Sequence, residues 1–343
     1  MTLTAWRTLV QGLMLALTVW GAVIVGHYSA EKLSRALPAL ACAHDRENGA
    51  YCVLVPLQHQ MHHRVGEGLT QGLQLTADAL LAPLLTLAAF LAFYLVLGKA
   101  FCGWVCPLGT VQEWLHRLGR RLGAPLRRLA PERARRLRWV KWAVLLTLVL
   151  GLPLVSGLGL LPHDFRDPFC QVCPSRIVSS LLTGDTTQLA LRHDSVWATA
   201  LGLAGNVLTG LVLVAALAWR QPFCRVCPLL ALNAAFQRVG LMRLDKRAHD
   251  RCSRCGICTR ACPMDIGEIA SRHGRAAFVE DCTLCGRCAE FCPDDGVIRL
   301  RWGPWTWFRS ARAYYRRRLR AGGPDGTPRG HRGDRRAAGE ARP

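Results

Sequence analysis

The sequence predicts a membrane-embedded bundle of four helices followed by a small, separate, cysteine-rich α+β domain. Three observations carry that reading. Four apolar runs of membrane-spanning length lie in the first 220 residues, and eight of the sixteen cysteines fall in a doubled motif between Cys252 and Pro293. The chain is 51% hydrophobic with a mean hydropathy of +0.16, yet its formal net charge is +21. Those last facts agree only if apolar and basic residues are segregated along the chain, and they are.

The first run, Leu9–Val25, is 17 residues long and uncharged. A short basic head and small residues near Ser29-Ala30 also suit a signal sequence, but further spans follow, so it reads as a retained helix. The second run is Ala79–Leu97, in which neighbouring helices can satisfy the carbonyl freed by Pro83. The third is Ala143–Leu161, headed by Trp139, Lys141 and Trp142 where an aromatic belt would lie. The fourth is Val196–Trp219. Each approaches the 17–25 residues that cross a hydrocarbon core about 30 Å thick. One such run can be a buried soluble helix; four together cannot.

Orientation follows from Lys and Arg. Segment 99–141 holds eleven of them against two Glu, whereas segments 28–75 and 162–195 hold four and three, each balanced by four acids. The positive-inside rule therefore expects both termini, segment 99–141 and everything after the fourth span on the cytoplasmic side of a bacterial inner membrane, with the two loops outside. The basic excess is accounted for by such loops and by anionic lipid. No nucleic-acid partner is expected, although W-T-W-F-R-S-A-R-A-Y-Y-R-R-R-L-R after Trp302 suits an amphipathic helix on the membrane surface. The Gly/Pro/Arg-rich end of the tail has a disordered composition.

The doubled motif is C-x2-C-x2-C-x3-C-P, written as C-S-R-C-G-I-C-T-R-A-C-P and C-T-L-C-G-R-C-A-E-F-C-P. In such a pair the fourth Cys of each run ligates the other run's cluster. One [4Fe-4S] cubane is thus expected on Cys252, Cys255, Cys258 and Cys292, and a second on Cys282, Cys285, Cys288 and Cys262. Gly256 and Gly286 relieve crowding in the turns, and Pro263 and Pro293 stiffen the exits. Zinc sites also use four thiolates, but as two pairs with a long spacer rather than eight in interlocked runs. The segment resembles a bacterial two-cluster ferredoxin domain. The expected organisation is a membrane domain over 1–228, a linker over 229–243, the ferredoxin-like domain over 244–302, and a basic, partly disordered tail over 303–343.

Eight cysteines remain. F-C-G-W-V-C-P and F-C-R-V-C-P set Cys102, Cys106, Cys224 and Cys227 at the cytoplasmic ends of the second and fourth spans. These four read either as ligands of a third iron–sulfur centre or as redox-active dithiols. Cys42, Cys52, Cys170 and Cys173 fall on the outer side, where thiols oxidise. Cys42–Cys52 closes an easy disulfide loop, and Cys170–Cys173 reads as a reducible outer redox pair or as part of a metal site. Seven of the eleven His also lie outside, among them His59, His62, His63 and His163, and imidazole with thiolate suits copper or zinc. A repeat relating 8–107 to 143–228 would set the two inner pairs across a pseudo-twofold axis.

F-C-G-W-V-C-P-L-G-T after a second span, F-C-R-V-C-P after a fourth and a double cubane domain behind them together resemble the NapH/NosR-type membrane-bound polyferredoxins over residues 76–300. NapH-like proteins carry two C-x3-C-P motifs, whereas the second motif here is one residue shorter. The resemblance implies an inner-membrane protein that passes electrons between a quinone pool or cytoplasmic donor and a periplasmic reductase system, working with redox partner subunits on both sides. That is an electron-transfer subunit of an oxidoreductase system, with a quinol dehydrogenase component as one form of it and no catalytic residue assigned. The alternative is a maturation factor that reduces metal or thiols on the outer side. The membrane ferredoxin group of oxidase maturation shares the F-C-G-x-x-C-P motif and implies it.

Overall fold

A computed structural model of the chain describes residues 2–20, 54–70, 94–247 and 252–320, with isolated positions between 44 and 50 and between 84 and 92. Most of the expected second span, Cys42, Cys52 and the tail from 321 lie outside the described residues.

Helix α1 (Leu3–Val19) starts on Thr2, whose hydroxyl accepts from Ala5 N at 3.1 Å. It therefore begins six residues before the apolar run read from the sequence. Two later helices are long and apolar enough to cross a membrane, Glu132–Gly157 and Val196–Ala218. The first starts eleven residues earlier than its apolar run. Its basic head is not a loop but is paired to the cysteine-rich domain, Arg138 to Asp281 at 2.6 Å and to Glu268 at 2.7 Å, and Lys141 to Asp281. The second is capped by Ser195, which accepts from Trp197 N at 3.2 Å. Along it Leu203, Val207, Leu211 and Val214 form one outward stripe, each more than half exposed, which suits contact with lipid.

Between these helices lie shorter ones. Leu54–Gln60 runs through a π-helical segment, Met61–Gly66, into Glu67–Thr70, and a second π segment, Phe101–Val105, precedes Pro107–Arg121. The supposed outer loop 162–195 is also largely helical, with Pro168–Val172 and Pro174–Leu182. It does not hang outside the bundle. Phe169, Cys170 and Val178 are buried in the same apolar core as Leu108, Val212 and Phe223. The small residue Gly205 explains the fit, because a Cβ there would collide with the Gln171 carbonyl.

Three of these helices begin with Cys-Pro: Pro107–Arg121, Pro174–Leu182 and Pro228–Ala235. Pro pushes the preceding Cys out of helical space and is itself tolerated at the first helical position. Cys106, Cys173 and Cys227 accordingly share an extended conformation, with ψ of 119°, 120° and 122°. Each is the N-cap of its helix.

The C-terminal domain is built on an antiparallel sheet in which β1 (Met242–Lys246) pairs with β2 (Ile298–Trp302) and β2 with β3 (Trp305–Arg309). The 229–243 linker contains most of the helix Pro228–Ala235 and the start of β1, and the sheet runs past Trp302 to Arg309. The aromatic–basic stretch after Trp302 is thus strand β3 followed by helix Arg312–Arg320. That helix packs on its own domain: Arg318 pairs with buried Glu290 at 3.1 Å, and Tyr314 OH accepts from Leu3 N of α1.

Candidate metal centres

In each doubled run the chain turns in the same way. Arg254 and Gly256 in the first, and Leu284 and Gly286 in the second, occupy left-handed backbone space with φ of 52°, 67°, 50° and 75°. Glycine takes that conformation without a Cβ clash. Each turn opens a short helix, Ile257–Ala261 and Arg287–Glu290.

Cys252, Cys255, Cys258 and Cys292 line one cavity, together with Lys246. Cys262 instead sits within electrostatic reach of Cys285 and Cys282, and Cys288 near Cys285, Cys282 and Cys262. The fourth cysteine of each run therefore stands with the other run. Burial pushes the Cys282 thiol up to about 11 and Cys292 to about 12, and raises Cys258, Cys262 and Cys288 as well. Backbone groups act in the opposite sense on Cys282 (Leu284), Cys258 (Thr259), Cys262 (Ile266 and Met264) and Cys292 (Asp294). Lys246 near Cys258 and Lys99 near Cys282 also favour the thiolates, and buried sulfurs with such donors suit a positively charged metal core, which deprotonates thiols outright. The residues fit iron–sulfur clusters.

The structure also brings Cys102, Cys106, Cys224 and Cys227 together. Burial raises both Cys224 and Cys227, and each is then raised further by Cys102 and Cys106 nearby. Asn233 Nδ2 donates to Cys102 Sγ at 3.4 Å, and Gln112 Nε2 lies 3.8 Å from Cys224 Sγ. Cys102 and Cys224 pack in one core with Cys262, Cys282, Cys288 and Cys292.

That contact is specific. Trp104 Nε1 donates to Leu284 O at 3.0 Å, and a Cβ on Gly103 would strike the Thr283 carbonyl. Arg225 donates to Met264 O at 3.0 Å and Pro263 O at 3.1 Å, and pairs with Asp265 at 2.7 Å. Lys99 Nζ adds bonds to Val279 O and Glu280 O at 3.2 and 3.3 Å. Residues next to the membrane-domain cysteines thus grip the loops that carry Cys262, Cys282 and Cys285.

Cys170 and Cys173, expected as an outer pair, lie inside the helical core. Cys173 is close enough to Cys227 to oppose its ionisation. The sequence reading missed Gln58, Gln112 and Asn233, none of which belongs to a recognised ligand type. Of the outer His, His62, His63 and His163 offer ring nitrogens within 4.8 Å of one another. Glu67 Oε1 lies 3.3 Å from His62 Nε2 and 3.1 Å from His63 Nδ1.

Comparison with known proteins agrees with this geometry. A family model described as a 4Fe-4S binding domain matches residues 79–125 and 201–247, which contain the four inner cysteines, and one described as a 4Fe-4S dicluster domain matches 244–298. YccM of Escherichia coli is 28% identical over 54% of this chain and 47% of its own length. The regulatory protein NosR of Pseudomonas aeruginosa is 31% identical over 59% of this chain and 25% of its own, and the ferredoxin-type protein NapH of Haemophilus influenzae 27% over 51% and 52%. The chain spans about half the length of YccM and NapH. No solved structure matches it. Cysteine clusters, family models and apolar helices together define a membrane-associated iron–sulfur protein with a ferredoxin-type domain. More narrowly, it is similar to the NapH/NosR-type polyferredoxins.

Proposed function

We propose that the protein is a membrane-anchored electron carrier that relays electrons between a quinone pool or cytoplasmic donor and a periplasmic reductase system. In this reading four helices span the membrane and the ferredoxin-like domain faces the cytoplasm. Two [4Fe-4S] clusters are held with crossed ligation, on Cys252, Cys255, Cys258 and Cys292 and on Cys282, Cys285, Cys288 and Cys262. A third iron–sulfur centre is held by Cys102, Cys106, Cys224 and Cys227. When bound, such groups supply one-electron storage at potentials set by burial and hydrogen bonds to sulfur.

The observation that carries this reading is the grip of Gly103, Trp104 and Arg225 on the loops of Cys262 and Cys285. A ferredoxin domain tethered only for assembly has no need of so close a fit at its cysteine loops. The chain's own contribution is to bury the sulfurs, aim backbone donors at them and hold the two sets of cysteines in contact. Iron and sulfide counting on the wild type and on Cys102→Ser/Cys227→Ser tests the third centre. The variant is expected to lose about four irons, and an unchanged count near eight in both forms removes the centre. Oxidation or reduction of the protein by quinone analogues tests the relay.

A second reading, reduction of metal or thiols on the outer side, draws support from the convergence of His62, His63 and His163 on Glu67. Imidazoles with one carboxylate suit copper(II) or zinc. Reduction of copper(II) by protein that quinol analogues fail to reduce would favour it.

A further inference from the structure

Two glutamines, 54 positions apart, make the same three contacts. Gln112 donates to Leu108 O at 3.1 Å, accepts from Phe223 N at 3.0 Å and points Nε2 at Cys224 Sγ. Gln58 donates to Leu54 O at 2.9 Å, accepts from Phe169 N at 3.2 Å and donates to Cys170 Sγ at 3.0 Å. Both side chains are fully buried. The same offset relates F-C-Q-V-C-P at 169–174 to F-C-R-V-C-P at 223–228, and helix Pro174–Leu182 to Pro228–Ala235. It also relates the start of helix Leu54–Gln60 to Leu108 near the start of Pro107–Arg121. This 54-residue relation stands beside the expected one between 8–107 and 143–228.

A repeat that preserves a buried amide aimed at a sulfur preserves more than packing. A glutamine amide removed from water must be satisfied, and in both units part of its donor capacity goes to a cysteine. Cys173, like Cys227 and Cys106, is an extended N-cap followed by Pro, so its sulfur sits at a helix start where negative charge is favoured. Cys170 is 4% exposed and packs with Cys173 in the helical core.

We propose that Cys170 and Cys173 supply two thiolate ligands to a further iron–sulfur centre, pseudo-equivalent to the one at Cys224 and Cys227, with Gln58 as its hydrogen-bond donor. This rests on the reading of the inner cysteines as ligands. The sequence continues the repeat, since Cys52 precedes Gln58 by six residues as Cys106 precedes Gln112. Cys52 lies outside the described residues, and the inference stands on Cys170, Cys173 and Gln58. Cys170 and Cys173 share one packed core with Cys106 and Cys227, which sets the two centres beside each other rather than on opposite membrane faces.

The test is iron and sulfide counting on the full chain, purified without oxygen, as wild type, Cys170→Ser/Cys173→Ser and Cys102→Ser/Cys227→Ser. The first variant is expected to lose about two to four irons, and the signals of the ferredoxin-domain clusters should stay unchanged. Wild-type iron in that variant, with loss in Cys102→Ser/Cys227→Ser, overturns this inference alone. Wild-type iron in Cys102→Ser/Cys227→Ser overturns the reading beneath it. Should a serine variant fail to fold, the wild-type count decides: about twelve irons leaves no metal for a fourth centre, and about fourteen to sixteen requires one. Gln58→Leu should keep the iron and shift the midpoint potential of one centre only, whereas no shift at any centre removes Gln58 from the site.

Discussion

Arg225 crosses from the F-C-R-V-C-P motif to Asp265, 2.7 Å away, and closes its fork on the carbonyls of Pro263 and Met264. Arg225 is 5% exposed. A planar guanidinium is the one cation that satisfies three acceptors in this fan, and a lysine ammonium does not.

Arg225→Met should therefore leave Asp265 and two carbonyls facing an apolar side chain. Removing one partner of a buried pair costs about 3–5 kcal/mol. Chemical unfolding followed by domain-specific proteolysis should show the ferredoxin-like domain released earlier, with Arg225→Lys recovering little. Release at the wild-type denaturant concentration would deny the pair a role in holding the two parts together.

Glycines give a paired expectation. Gly103→Ala puts a methyl group into the Thr283 carbonyl, with Cys285 Cα next at 3.3 Å, and both are backbone that cannot swing aside. The segment must separate, so the variant should keep its ferredoxin-domain iron but lose magnetic interaction between those clusters and the centre proposed at Cys102, Cys106, Cys224 and Cys227. Gly210→Ala on the apolar helix Val196–Ala218 meets nothing within 4 Å. It should be neutral, or stabilising by up to about 1 kcal/mol. Electron paramagnetic resonance on both variants separates the two outcomes.

Glu113 is buried between Arg7 and Arg117, the second at 2.9 Å. Burial disfavours its charge, but the two guanidinium groups outweigh burial and hold the carboxyl at about 2, against an ordinary 4.5. A depressed carboxyl stabilises the fold fully above its unfolded value. That stability fades as pH falls from about 4.5 toward 2, on the order of 3 kcal/mol in all. The difference in melting temperature between wild type and Glu113→Gln should be large at pH 7 and shrink by pH 3. Taking the difference cancels the acid lability that the clusters confer on both. A gap that stays constant with pH would assign the effect to packing.

Much of this was legible in the sequence. The doubled run specifies its own turns, because Gly256 and Gly286 stand where left-handed backbone is needed, and Cys-Pro specifies the start of three helices. The apolar runs located the helices but not their ends. Hydropathy does not see that Arg138 and Lys141 are neutralised by Asp281 from a distant part of the chain. The same blindness made a loop of 162–195, whose polar residues Ser175, Ser179 and Ser180 are buried, two of them bonding back to carbonyls in their own helix. Gln58 and Gln112 are silent in composition, and only the 54-residue offset betrays them.

Crossed ligation makes a prediction about pairs of substitutions. If Cys262 belongs with Cys282, Cys285 and Cys288, as its electrostatic neighbours indicate, Cys262→Ser and Cys285→Ser disable the same cluster. The double variant should then lose about four irons, no more than either single. Cys262→Ser with Cys258→Ser strikes two clusters although both residues come from one run, and should lose about eight. Cys292→Ser should behave as a member of the first set, matching its place in the cavity of Cys252, Cys255 and Cys258. Iron counting and the spectrum of the surviving cluster check each case. The reverse pattern, with losses additive between runs and not within them, would mean that each run closes its own cluster.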